Sequence, residues 1–106
     1  MQWVKIFSDR QEALRKIADG TTQLLIVNQT RICLARIQDK FYGVQDKCSH
    51  NGESLSKGKI NYLGEVVCPW HGYRFDLNTG RECGEKSNDL VTYPIKIDET
   101  GFYVGL

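Results

Sequence analysis

Cys48-Ser49-His50 and, seventeen residues further on, Cys68-Pro69-Trp70-His71 are the segments on which the reading of this chain turns. Each supplies one cysteine and one histidine, so two loops brought together would present two thiolates and two imidazoles to a common centre. The grouping of the ligands discriminates between metal sites. A zinc finger of the Cys2His2 kind pairs cysteine with cysteine and histidine with histidine, as C-x2-4-C followed by H-x3-5-H, and neither spacing occurs here. A zinc-stapled interaction module and a set of unmetallated core residues are the competing readings.

Outward from these segments the bulk properties set bounds. A chain of 106 residues fits a single domain, 1–106, with a modest core. Its formal charge of +1, from 14 basic and 13 acidic residues, argues against a nucleic-acid binder, whose domain would carry a basic excess. No apolar run approaches the roughly 20 residues that span a bilayer, and the opening MQWVKIFSDR has no signal-peptide apolar region. These features lead to the expectation of a soluble cytoplasmic protein without a membrane partner, and a monomer is the simplest form for it.

Residues 2–7 alternate apolar and polar side chains and read as a half-buried strand. Ser8 or Asp9 offers an N-cap with Gln11 or Glu12 as the capping-box partner, and Ala13, Leu14 and Ile17 form a short helical stripe that Gly20 stops. Strands are expected over 22–27, 31–37 and 41–45, with turns at Asn28-Gln29 and Asp39-Lys40. The segment 46–84 differs in texture: it holds both Cys/His segments and six glycines, with short strands around 65–67 and 73–75. Strand character returns over 90–98 and 101–106, with a turn at Glu99-Thr100. An all-β antiparallel domain follows, in which the two ends of the chain form a barrel or sandwich and 46–84 is an insertion carrying the site.

The pattern C-x-H-x17-C-x2-H, with this organisation around it, resembles the Rieske iron-sulfur family across essentially the whole chain. The resemblance implies a base of six strands with an inserted cluster-binding subdomain of three. It also implies one [2Fe-2S] cluster, with Cys48 and Cys68 on one iron and His50 and His71 on the other. Replacing two thiolates by neutral imidazoles leaves the centre less negative, so an added electron is repelled less and the reduction potential rises relative to four-cysteine clusters.

Departures from the family pattern indicate the branch. High-potential members carry an extra cysteine in each ligand loop, joined as a disulfide; Glu53 and Trp70 stand at those places. Tyr73 follows His71-Gly72 where those proteins have a serine that donates to the cluster. The resemblance therefore implies a low-potential ferredoxin similar to the soluble component of bacterial ring-hydroxylating dioxygenase systems, with a flavin-dependent NAD(P)H reductase as donor and a terminal oxygenase as acceptor. An oxygenase large subunit would need a second iron held by further histidines. The chain has two histidines in all, so it is read as a carrier and not an enzyme. A Rieske-like small subunit of an assimilatory reductase, such as nitrite reductase, is the alternative within the family.

Several residues have open roles at this level. Cys33, in an apolar run, reads as a small buried hydrophobe, and Cys83 as a packing residue near the site; a disulfide between them is not expected. Asp46 could accept loop hydrogen bonds or sit solvated in a turn. Lys47, Ser49, Asn51, Gly52, Trp70 and Gly72 are candidates for a docking rim. The stretch 84–90 lies where many relatives have a proline-containing loop, yet the chain has no proline there until Pro94.

Overall fold

The computed structural model describes residues 1–49, 52–70, 72–85 and 87–106. Alternation in the opening segment produces β1 (Trp3–Phe7), and a seven-residue helix, α1 (Arg10–Lys16), follows it. Asp9 is the N-cap and accepts from the Glu12 N–H at 2.8 Å, while Glu12 reaches back to the Ser8 N–H, one residue before the cap, at 2.8 Å. The Asp9 oxygen satisfies a donor that a helix start leaves without a partner, and the Glu12 oxygen ties down the residue leading into it. At the other end, the Arg36 guanidinium donates to the Leu14 and Ile17 carbonyls at 3.2 and 2.7 Å.

Three antiparallel sheets make up the rest. One contains β1, β9 (Ile95–Asp98) and β10 (Gly101–Gly105), with β10 in the middle. The second runs β2 (Thr22–Val27), β3 (Thr30–Ile37), β4 (Lys40–Gln45) and β8 (Thr92–Tyr93). The third, β5 (Lys59–Ile60), β6 (Glu65–Val67) and β7 (Arg74–Asp76), comes from the chain between β4 and β8. The β2–β3 hairpin turns on Asn28 and Gln29 at φ of 48° and 66°, the pair of left-handed residues that matches the twist of a two-residue hairpin. The β3–β4 turn sits on Gln38-Asp39, one residue earlier than the sequence indicates, because the Asp19 carboxylate accepts from the Gln38 N–H at 2.6 Å and Lys40 already pairs with Ile37.

The base has seven strands among the described residues, not six. The single run read over 90–98 divides at Pro94 into β8 and β9, which belong to different sheets. Proline cannot donate to a ladder, but its carbonyl still accepts from the Gly105 N–H at 2.9 Å, so the crossing point is anchored. The inserted sheet has the three strands the resemblance implies.

Strand β3 is the wall shared by the base and the insertion. Ile32, Cys33, Leu34 and Ala35 are all 0 % exposed. Their side chains alternate between faces: Ile32 and Leu34 join base clusters built around Phe7, Phe41, Phe102 and Val104, whereas Cys33 and Ala35 join a cluster that contains Cys48 and Cys68. Strand β4 repeats the division, with Phe41 on the base side and Val44 on the other. Among the described residues no helix is long and apolar enough to cross a membrane.

Candidate functional site

The two Cys/His segments are built alike. The Cys48 N–H donates to the Glu53 carbonyl at 2.8 Å, and the Cys68 N–H donates to the Tyr73 carbonyl at 2.8 Å. Each cysteine thus opens a loop closed by a bond to the residue five positions on. Each loop also carries a glycine four positions after its cysteine, Gly52 at φ of 79° and Gly72 at φ of 68°, where a side chain would strain the left-handed backbone. The shared C-x3-G spacing is legible in the sequence as a second, backbone-level correspondence between the two segments.

Cys48 and Cys68 are 2 % and 1 % exposed and neither is in a disulfide. They lie in an apolar cluster with Val44, Leu55, Val66, Phe75, Leu77 and Leu90. Among the described residues no group of three or more His, Cys, Asp or Glu gathers as a metal site; His50 and His71 lie outside the described residues. Two buried cysteine sulfurs at matching positions of two similar loops fit the thiolate half of an iron-sulfur donor set.

Below the first loop, Asp46 is 1 % exposed. Its carboxylate accepts from the Ser56 N–H at 2.8 Å, from the Ser54 hydroxyl, and from Arg31 at 3.3 Å, which selects the hydrogen-bonded role over the solvated one. Burial pushes its carboxyl up, but the bonds from Ser54 and Ser56 and the Arg31 charge outweigh that and hold it below the usual aspartate range. The short 3-10 turn Leu55–Lys57 follows, and Gly58 ends it against β6. A Cβ on Gly58 would stand 2.0 Å from the Val67 carbonyl, one residue before Cys68, so glycine is needed for the two loops to approach.

Burial pushes the Cys33 thiol up to about 12, with the Asp46 charge adding to it. Cys83 is half-buried and donates to Glu65 Oε2 at 2.7 Å. Burial first, then this bond and the Glu65 charge, raise its thiol to about 11. Glu65 is held low, chiefly by the bonds from Cys83 and Asn61 and then by Arg74, against an opposing effect of burial. Both thiols are thus held protonated at neutral pH. No local sequence signal points to this carboxylate network around Glu65 of β6, because its members are up to eighteen residues apart.

Of the candidate rim residues, Lys47, Gly52, Trp70 and Gly72 are exposed, Ser49 is half-buried, and Asn51 lies outside the described residues. Trp70 is 59 % exposed, so it offers an apolar surface beside the second loop. Glu53 is half-buried and its carboxylate accepts from the Ser54 N–H at 3.2 Å.

Residues 2–94 match the model of the Rieske [2Fe-2S] domain. The chain is 33% identical over 76 residues to the 3-phenylpropionate/cinnamic acid dioxygenase ferredoxin subunit of Shigella boydii serotype 4, covering 71% of this chain and 72% of that one. Among solved structures it is similar to the ferredoxin of carbazole 1,9a-dioxygenase from Nocardioides aromaticivorans IC177, with a TM-score of 0.85, 23% identity and coverage of 99% and 98%. It is also similar to a chain from the complex of reduced oxygenase and oxidized ferredoxin in carbazole 1,9a-dioxygenase, with a TM-score of 0.80, 26% identity and coverage of 97% and 92%.

Proposed function

The chain belongs to the Rieske [2Fe-2S] family, and from that premise we propose that it is a low-potential ferredoxin that carries single electrons from an NAD(P)H-dependent flavin reductase to a terminal oxygenase. The carrying observation is the pair of matching loops that bury the sulfurs of Cys48 and Cys68 in one apolar cluster. Cys48 and Cys68 hold one iron as thiolates, and His50 and His71 hold the other as neutral imidazoles. When bound, the cluster supplies a one-electron couple whose potential the imidazoles raise above that of four-cysteine clusters.

The protein residues do the remaining work. Asp46 and the Cys48 and Cys68 N–H bonds hold the loop backbones in place, which limits rearrangement when the charge of the site changes. Trp70 and the exposed loop residues form the face presented to partners, tryptophan being a frequent interface anchor. Tyr73 in place of a serine donor, and Glu53 and Trp70 in place of a disulfide, put the potential near the low end of the family range, about −150 mV. In this reading residues 1–106 are one domain with 46–84 as its cluster-binding subdomain, the protein works as a monomer, and it operates in the cytoplasm, where NAD(P)H is available. It performs no substrate chemistry of its own.

Electron paramagnetic resonance of the reduced protein, combined with its midpoint potential, tests the proposal. A Rieske signal with a potential near −150 mV is expected, and a value of about +300 mV would place the protein in the other branch. Colourless protein with one zinc per chain would establish the zinc-stapled module instead.

A further inference from the structure

Away from the two ligand loops, Glu82 is a charged residue only 2 % exposed. Its backbone forms an isolated antiparallel bridge with Phe75 at the edge of β7, and the neighbouring Cys83 N–H donates to the Arg74 carbonyl at 2.8 Å. From that anchored position the carboxylate reaches forward. One oxygen accepts from the Gly84 N–H, and the other accepts from the Ser87 N–H at 3.0 Å. Asp89 reaches in the opposite direction and accepts from the Glu82 N–H at 3.2 Å. Reciprocal side-chain to backbone bonds of this kind close a helix start in a capping box; here they close a loop.

The far end of that loop meets the first ligand segment. Ser49 Oγ donates to the Asn88 carbonyl and lies 3.1 Å from Ser87 Oγ. A serine hydroxyl has one proton, so with Ser49's proton given to Asn88, Ser87 is the donor between the two hydroxyls. The loop has no proline before Pro94, and Glu85 within it sits at φ of 55°, so no ring stiffens its backbone. The carboxylates do.

We infer that Glu82 is a positioning residue for the first ligand loop: with Asp89 it ties Gly84 and Ser87 in place, so that Ser87 and Asn88 lock Ser49 and with it the backbone that carries Cys48. This rests on the function proposed above, in which Cys48 is a ligand.

E82Q keeps the size of the side chain but turns an amide nitrogen toward one of the two N–H donors. The wild-type holoprotein, E82Q, S49A and E82Q/S49A would be compared for iron release to a chelator, for the g values of the reduced protein, and for deuterium uptake over 46–56. E82Q is expected to speed iron release about tenfold, the scale of one lost charged hydrogen bond, to shift the g values and to raise the uptake. In the S49A background the same change should have no further effect on any of the three. Wild-type g values and uptake in E82Q, or an effect undiminished in S49A, would overturn the inference. If E82Q holds no cluster, deuterium uptake over 46–56 in the apo forms of the four proteins makes the same comparison. A wild-type protein that shows no iron-sulfur spectrum would defeat the proposed function, while the apo uptake would still decide whether Glu82 fixes the loop.

Discussion

The base and the inserted segment both have apolar cores, but they differ in what is buried beside them. In the base, Phe102 is 0 % exposed and packs edge-on against Phe7 and Phe41 at centroid separations of 5.2 and 5.0 Å, an arrangement worth more than its buried area alone. In the insertion the strands are two or three residues long. Among the described residues the buried charged side chains are Asp46, Glu65 and Glu82, and all three lie within 46–84. Each collects several donors: backbone N–H groups, serine hydroxyls, an amide, a guanidinium or a thiol. The short inserted sheet also packs large side chains, Phe75 among them at 0 % exposure, but its loops carry buried carboxylates that the base lacks among the described residues. Carboxylates can tie down loop backbones, and full hydrogen bonding offsets the penalty of their burial.

The sharpest way to break this contrast is at the centre of the base. F102A should lower stability by about 3–5 kcal/mol, measured by urea unfolding; a loss no larger than that of a polar variant in the insertion would erase the distinction. Next comes the chemistry of the insertion's own thiol. With Cys83 raised to about 11, its alkylation at pH 8 should be roughly a hundredfold slower than that of an ordinary thiol. Mass spectrometry of the labelled holoprotein checks this, and E65Q should restore part of the rate.

The same substitution sharpens the comparison through pH. Glu65 titrates below its ordinary value, so its charged form adds stability above about pH 4.3, and that stability is lost as the pH falls through the lower folded-state value. E65Q should therefore be less stable than wild type by about 1.5 kcal/mol at neutral pH, with the gap closing in acid. Unfolding curves that keep the same separation at pH 3 and pH 7 would count against the network. The smallest effect is expected at the rim of the base, where D9A should cost about 1 kcal/mol and lower helical circular dichroism without altering the redox signal.

Much of the fold was legible because strand alternation is a local property. The runs 2–7, 22–27 and 31–37 pair as antiparallel strands close to their expected bounds. The helix start and the Asp9–Glu12 pair lie where the sequence puts them, whereas the helix ends at Lys16 with Ile17 as its C-cap, three residues before Gly20. The division at Pro94 was missed because a run of β-forming residues does not show which sheet each half joins. Cys33 was readable as a buried hydrophobe from its apolar neighbours, whereas nothing beside Cys83 in the chain points to Glu65, eighteen residues earlier.

By itself the sequence determined the family and the antiparallel strands on either side of the insertion, and it offers Cys48, His50, Cys68 and His71 as the proposed donor set, because ligand spacing and alternation are written in neighbouring residues. Tertiary structure alone decided that one strand, β3, serves two cores through its alternate faces, and that Asp46, Glu65 and Glu82 are buried clamps rather than solvated charges. A carboxylate's role depends on which donors the fold brings within hydrogen-bond reach of it. That is a property of three-dimensional neighbours, and the order of residues along the chain does not contain it.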